Sequence, residues 1–154
     1  MIQPQKPNVA FGHCAAGLRP LMTYFAAYIS ILVVFGAIDA GWLRIMGHIL
    51  YRPVLGDILL PDLRLAPAIA FYLLYPIGIL VFSVIPALRS GSAFNAFLYA
   101  VLFGALAYAT YDLTNYATLR NWTLQITIID ICYGALAAGI AAAAAYLVAH
   151  AFSP

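Results

Sequence analysis

The stretch FNAFLYAVLFGALAYATYDLTNYATLRNW (Phe94–Trp122) places an acid and an amide inside an otherwise apolar helix. Its first half is almost continuously apolar, whereas its second half carries Asp112 and Asn115. Burying an unpaired polar group in hydrocarbon costs several kcal/mol, as an order of magnitude. The stretch therefore predicts a membrane helix that contributes to a polar site.

The composition of the whole chain is that of a membrane protein. Of its 154 residues, 66% are hydrophobic and only 8% are charged, far from the averages of soluble domains. Seven Lys and Arg against five Asp give a formal charge of +2. This charge is too small and too dispersed for a nucleic-acid-binding surface, so we expect no nucleic-acid partner.

Four stretches of the chain are apolar enough to span a bilayer, which requires about 20 predominantly apolar residues. They cover about residues 21–46, 66–88, 94–119 and 124–149. The last two connections are short, which makes sequential helices antiparallel neighbours. The predicted fold is an all-α polytopic membrane protein, an antiparallel four-transmembrane-helix bundle, in the cell (inner) membrane.

The N-terminal residues 1–21 carry three prolines and are predicted to form a loose leader. Met22 is an alternative start of translation, because the first apolar run begins beside it. Residues 22–154 then form a single transmembrane domain.

The one long connection, residues 47–65, contains Pro53, Gly56 and Pro61, which are expected to break any continuous helix. Its other residues are largely apolar. We therefore predict an interfacial loop between the first two spanning helices.

Three aspartates lie within the predicted helices: Asp39 in the first, Asp112 in the third and Asp130 in the fourth. The first and third helices run in the same direction, and the fourth begins at the face where the third ends. At 1.5 Å rise per residue, all three aspartates lie about 10 Å deep. The sequence therefore predicts one acidic site within one leaflet.

Tyrosines surround this predicted site. Tyr108, Asp112 and Asn115 are spaced i, i+4 and i+7, so they share one stripe of the third helix. The other tyrosines lie at similar depth on three helices. The candidate binding residues are Asp39, Asp112, Asn115, Asp130, Tyr72, Tyr75, Tyr108, Tyr111 and Tyr133. Trp42 and Trp122 are interpreted as anchors at the membrane interface.

A structural role for the charged residues is also open. A single intramembrane aspartate can hold helices together through a hydrogen bond worth about 1 kcal/mol. The arginines of the loops facing the site are interpreted as topology signals and lipid contacts; they are Arg44, Arg52, Arg64 and Arg120. In the alternative interpretation, Arg44 or Arg120 forms a salt bridge with one of the aspartates.

Gly134, Ala138 and Ala142 recur every four residues on the fourth helix. Small residues at this spacing let two helices approach closely, so they first predict a packing face. A contact with a second copy of the chain or with a larger membrane complex is the alternative.

Motifs for several classes of chemistry are missing from the sequence. No histidine pair has the spacing of a zinc site, and no glycine-rich phosphate loop or serine nucleophile motif is present. We therefore expect no metal and no cofactor. Membrane lipids are the expected partners.

Four segments carry a resemblance to a known family: AYATYDLTNYATLRNW (Ala107–Trp122), IDAGWL (Ile38–Leu43), FYLLYPIG (Phe71–Gly78) and IDICYG (Ile129–Gly134). From about Met22 to Phe152, the chain resembles a family of small bacterial predicted membrane proteins classed as a domain of unknown function. The YDLTN core and the following tryptophan are its most specific signature. The resemblance implies a four-helix integral membrane protein and no particular reaction.

Three functional hypotheses follow. In the first, the acidic, tyrosine-lined site binds or moves a small cation, a proton or a lipid headgroup. In the second, the protein is a membrane-embedded enzyme that modifies a lipid or isoprenoid, with an aspartate as general acid or base. In the third, the protein is a structural subunit of a larger membrane complex.

Overall fold

The computed structural model describes the backbone of residues 12–152 and the side chains of residues 20–152. Its helices are α1 (Gly12–Met46), a π-helical turn (Gly47–Tyr51), α2 (Arg52–Leu55), a 3-10 turn (Gly56–Ile58), α3 (Leu65–Ile79), a second π-helical turn (Leu80–Val84), α4 (Ile85–Ser90), α5 (Ala93–Thr118) and α6 (Leu124–Ala151).

Four helical spans are long and apolar enough to cross a membrane. They are Pro20–Ile58, Leu65–Ser90, Ala93–Thr118 and Leu124–Ala151. The prediction of an all-α, multi-pass membrane protein with four spanning helices is confirmed.

The first span, Pro20–Ile58, begins beside its predicted start but extends beyond its predicted end. The helix that contains it begins at Gly12, inside the predicted leader, of which residues 1–11 lie outside the described part of the chain. At its other end the helix changes type, from π to α to 3-10, and continues to Ile58. Pro53 does not break it, because this proline lies in the first turn of α2, where a missing backbone N–H leaves no hydrogen bond unmade.

The two tight connections are fixed by local hydrogen bonds. Gly91 ends α4 with a φ of 66°, a left-handed conformation that glycine adopts without strain. The side chains of Ser92 and Thr123 then cap α5 and α6, accepting hydrogen bonds from the backbone N–H groups of Asn95 and Ile126. Each cap satisfies one of the free donors at a helix start.

Helices α5 and α6 pack closely because glycines replace side chains at their contact. A Cβ atom on Gly104 would lie 2.5 Å from the carbonyl oxygen of Gly134. Gly134, Ala138 and Ala142 are all buried, so the predicted packing face is used within the chain. A partner could contact this stripe only if the helices separated.

The remaining spans complete the bundle around α6. Helix α1 packs against α6 and α3, and the π-helical turn Leu80–Val84 packs against α5. The C-terminal ends of α1 and α5 therefore lie beside the N-terminal ends of α3 and α6, the arrangement on which the predicted acidic site depends.

Candidate functional site

Asp39 joins three helices through its carboxylate. It lies on α1 and is 6% exposed. The hydroxyl of Tyr72 on α3 donates to its Oδ2 atom, and the hydroxyl of Tyr133 on α6 donates to its Oδ1 atom at 2.9 Å. Both oxygens of this buried carboxylate therefore have a hydrogen-bond donor.

Asp130 on α6 is the second carboxylate of the cluster. Its Oδ1 atom accepts a 2.5 Å hydrogen bond from the hydroxyl of Tyr51, which in turn accepts a 2.9 Å hydrogen bond from Nε1 of Trp42. The Trp42 ring also stacks on Tyr133, with ring centroids 3.9 Å apart and an interplanar angle of 9°. Trp42 thus connects the side chains that hold Asp39 to those that hold Asp130.

Asp112 on α5 differs from the other two aspartates. Its side chain is 0% exposed, and neither carboxylate oxygen has a hydrogen-bond partner among the described residues. Its carboxylate lies near enough to that of Asp130 for the two charges to repel each other when both groups are ionised. Within the described part of the chain, Asp112 is therefore an enclosed acid without a donor, next to a second acid.

Two further tyrosines form the interior wall of the site. Tyr108 makes edge-to-face contacts with Tyr133 and Tyr75, with centroid distances of 6.1 Å and 6.3 Å. Tyr75 is buried, and its hydroxyl has no hydrogen-bond partner among residues 20–152. Both tyrosines also pack in the hydrophobic core of the bundle.

Tyr111 and Asn115 are less buried than the three aspartates. Tyr111 is 58% exposed and packs edge-on against Trp122, with centroids 5.5 Å apart. Asn115 is half-buried beside it. Trp122 is buried within an apolar cluster that includes Leu50 and Ile126, so it is an internal packing residue and the prediction of an interfacial anchor is wrong.

The sequence did not predict Tyr51 as a site residue. It lies in the segment interpreted as a loop, and Trp42 was interpreted as an anchor. The sequence signal that could have indicated a packed segment was the pair of apolar residues on either side of Tyr51, Leu50 and Leu55. The structure buries both.

The three buried aspartates lack a compensating arginine within residues 20–152. Arg44, Arg52, Arg64 and Arg120 are exposed, and no ion pair joins an arginine to these aspartates in that part of the chain. The alternative in which Arg44 or Arg120 forms such a salt bridge is therefore not found. Among the described residues, the site contains three carboxylates and no opposing charge.

The arrangement of acids also limits which ligands fit. Over the described part of the chain, no three His, Cys, Asp or Glu side chains converge to hold a metal ion. A divalent cation would require several such oxygen ligands around one point. Carboxyl groups such as these can take up a proton.

Comparison with known proteins places the chain in a family. Residues 24–147 match the family described as Predicted membrane protein (DUF2177). No curated protein and no solved structure matches the chain. Because the matched residues include all four spans, apart from their outer ends, and every candidate site residue, the chain belongs to this family of predicted membrane proteins.

Proposed function

We propose that this protein, a multi-pass protein of the inner membrane, binds a proton or a small monovalent cation at Asp112 and moves it across the bilayer. The observation that carries this proposal is the enclosed Asp112 carboxylate, which lacks any donor among the described residues. Asp39 and Asp130 each accept a hydrogen bond from at least one tyrosine hydroxyl. Asp112 is thus the acid of the cluster whose negative charge is not compensated by a hydrogen-bond donor among the described residues.

Physical chemistry supports a neutralising ligand at this position. An ionised carboxylate in a water-free interior is costly unless it is paired and hydrogen-bonded. The neighbouring charge of Asp130 adds repulsion when both groups are ionised. A proton or a monovalent cation at Asp112 removes both unfavourable effects.

The enclosure of Asp112 favours a very small ligand over a lipid headgroup. A side chain that is 0% exposed cannot be contacted by a water-sized sphere, and a headgroup is much larger. The same enclosure disfavours a lipid-modifying enzyme that uses this carboxylate as its general acid or base. A purely structural role as interhelical glue also needs a hydrogen-bond partner, which Asp112 lacks within residues 20–152.

We expect Asp112→Asn to abolish ligand movement. Asparagine keeps the size of the side chain but removes the negative charge that the ligand neutralises. The measurement is the uptake of protons, reported by an entrapped pH dye, or of tracer Na⁺ or K⁺, into proteoliposomes under an imposed gradient. Wild-type vesicles should exceed empty vesicles for one of these ions, and Asp112→Asn vesicles should match empty ones.

The matched control is Asp62→Asn, which makes the same chemical change at an exposed position in the loop before α3. This variant should retain wild-type uptake. Uptake by Asp112→Asn at the wild-type rate would contradict the proposal, as would wild-type uptake no faster than that of empty vesicles.

A further inference from the structure

The end of the first span packs against the start of α6 and contacts the carboxylate cluster at Asp130. Between Gly47 and Ile58, only Leu50 and Leu55 are buried, at 7% and 3% exposure, and they pack in one cluster with Trp122 and Ile126. The rest of this segment is half-buried or exposed. We call residues 47–58 the cover segment.

Tyr51 connects the cover segment to the site. Its hydroxyl donates to Asp130 at 2.5 Å and is oriented by the 2.9 Å hydrogen bond from Trp42. Tyr51 thereby occupies an oxygen of Asp130 that a ligand near Asp112 could otherwise contact.

Something must move before a ligand can contact Asp112, because this side chain is fully enclosed. Separation of α5 from α6 is unfavourable, since their backbones are in close contact at Gly104 and Gly134. The cover segment is attached by two buried leucines, by the half-buried Tyr51 and Val54 that pack against the same cluster, and by the hydrogen bonds of Tyr51. Segments with few buried apolar contacts open most readily.

We propose that Tyr51 is the gating residue of this site: its hydrogen bond to Asp130 holds the cover segment closed, and its release admits the proton or monovalent cation to Asp112. The ligand class rests on the function proposed above, whereas the gate itself is a statement about access. Access can be measured in a protein that cannot carry the ligand, so the two proposals can fail separately.

The test measures how fast a small thiol reagent reaches position 112. Asp112→Cys is made in a background with Cys14→Ser and Cys132→Ser, so that only the introduced thiol reacts. Adding Tyr51→Phe should speed labelling about ten- to a hundredfold, because a hydrogen bond to a charged acceptor changes an equilibrium constant by this order. Adding Leu55→Ala, which loosens the segment without touching the hydrogen bonds, should also speed labelling.

Tyr116→Phe is the matched control, since it removes a hydroxyl from an exposed tyrosine of α5. It should leave the labelling rate unchanged. If the Asp112→Cys protein is labelled at the same rate with and without Tyr51→Phe or Leu55→Ala, the gate is overturned, whatever the outcome of the uptake assay. Faster labelling with Tyr51→Phe would support the gate even if wild-type uptake fails to exceed that of empty vesicles, a result that would overturn only the proposed ion movement. Faster labelling with Leu55→Ala alone would overturn the role of Tyr51.

Discussion

Replacement of Asp112 by leucine is expected to raise the free energy of unfolding by about 1–4 kcal/mol. Leucine has a similar volume and removes a buried carboxylate that has no hydrogen-bond donor among the described residues. Replacing buried charged groups with well-packed apolar ones often has this effect. The substitution should therefore stabilise the protein while it abolishes ion movement, the pattern of a site retained for function at the expense of stability.

Asp39→Leu is the comparison variant, because it removes a buried aspartate that does have hydrogen-bond donors. It should lower the free energy of unfolding by about 1–3 kcal/mol, because it leaves the hydroxyls of Tyr72 and Tyr133 without their acceptor. Both variants are measured by unfolding with a denaturing detergent in mixed micelles. If Asp112→Leu destabilises the protein as much as Asp39→Leu, Asp112 has a structural partner and is not a carboxylate kept free for a ligand.

Gly134→Ala is expected to destabilise the bundle by about 3 kcal/mol, the upper end of the usual cost of overpacking. A Cβ atom at this position would lie 2.2 Å from the ring of Tyr108. The ring cannot turn away freely, because it lies against Tyr75 and Tyr133. Either the helices separate or the ring shifts and disturbs the interior wall of the site.

Gly36→Ala is the control, because a Cβ atom there meets nothing within 4 Å. This variant should be neutral or more stable by up to about 1 kcal/mol, the usual difference between alanine and glycine within a helix. Tyr108→Ala should remove most of the cost of Gly134→Ala. An unchanged cost in that background would show that contact with Tyr108 is not the cause.

The general fold could be predicted because hydrophobic length alone determines which segments can span a bilayer. The second, third and fourth spans lie within a few residues of their predicted bounds. The extension of the first span through Pro53 could not be predicted, because a proline ends a helix in its interior but is accommodated in a first turn. Whether Pro53 ends the helix or is accommodated depends on where the helix changes from π to α, and the packing of the segment determines that position.

Counting helix depth predicted that Asp39 and Asp130 lie in one leaflet, near Tyr72 and Tyr133. The depth of a residue in the membrane does not show towards which neighbouring helix its side chain points. Asp112, on the predicted stripe from Tyr108 to Asn115, is buried, and Tyr111, which borders that stripe, is exposed. A binding role for these residues stays a prediction. The bridge through Trp42 and Tyr51 depends on side-chain rotamers, which no sequence pattern specifies.

Binding of a proton or a monovalent cation at Asp112 is tested most directly by an infrared titration of its carboxyl group in reconstituted protein. Difference spectra between wild type and Asp112→Asn are recorded while the pH is changed, and again while Na⁺ or K⁺ is added at constant pH. We expect a carboxyl band, absent from Asp112→Asn, that responds reversibly to pH or to one of these cations. An Asp112 band that responds to none of them would contradict the proposed function.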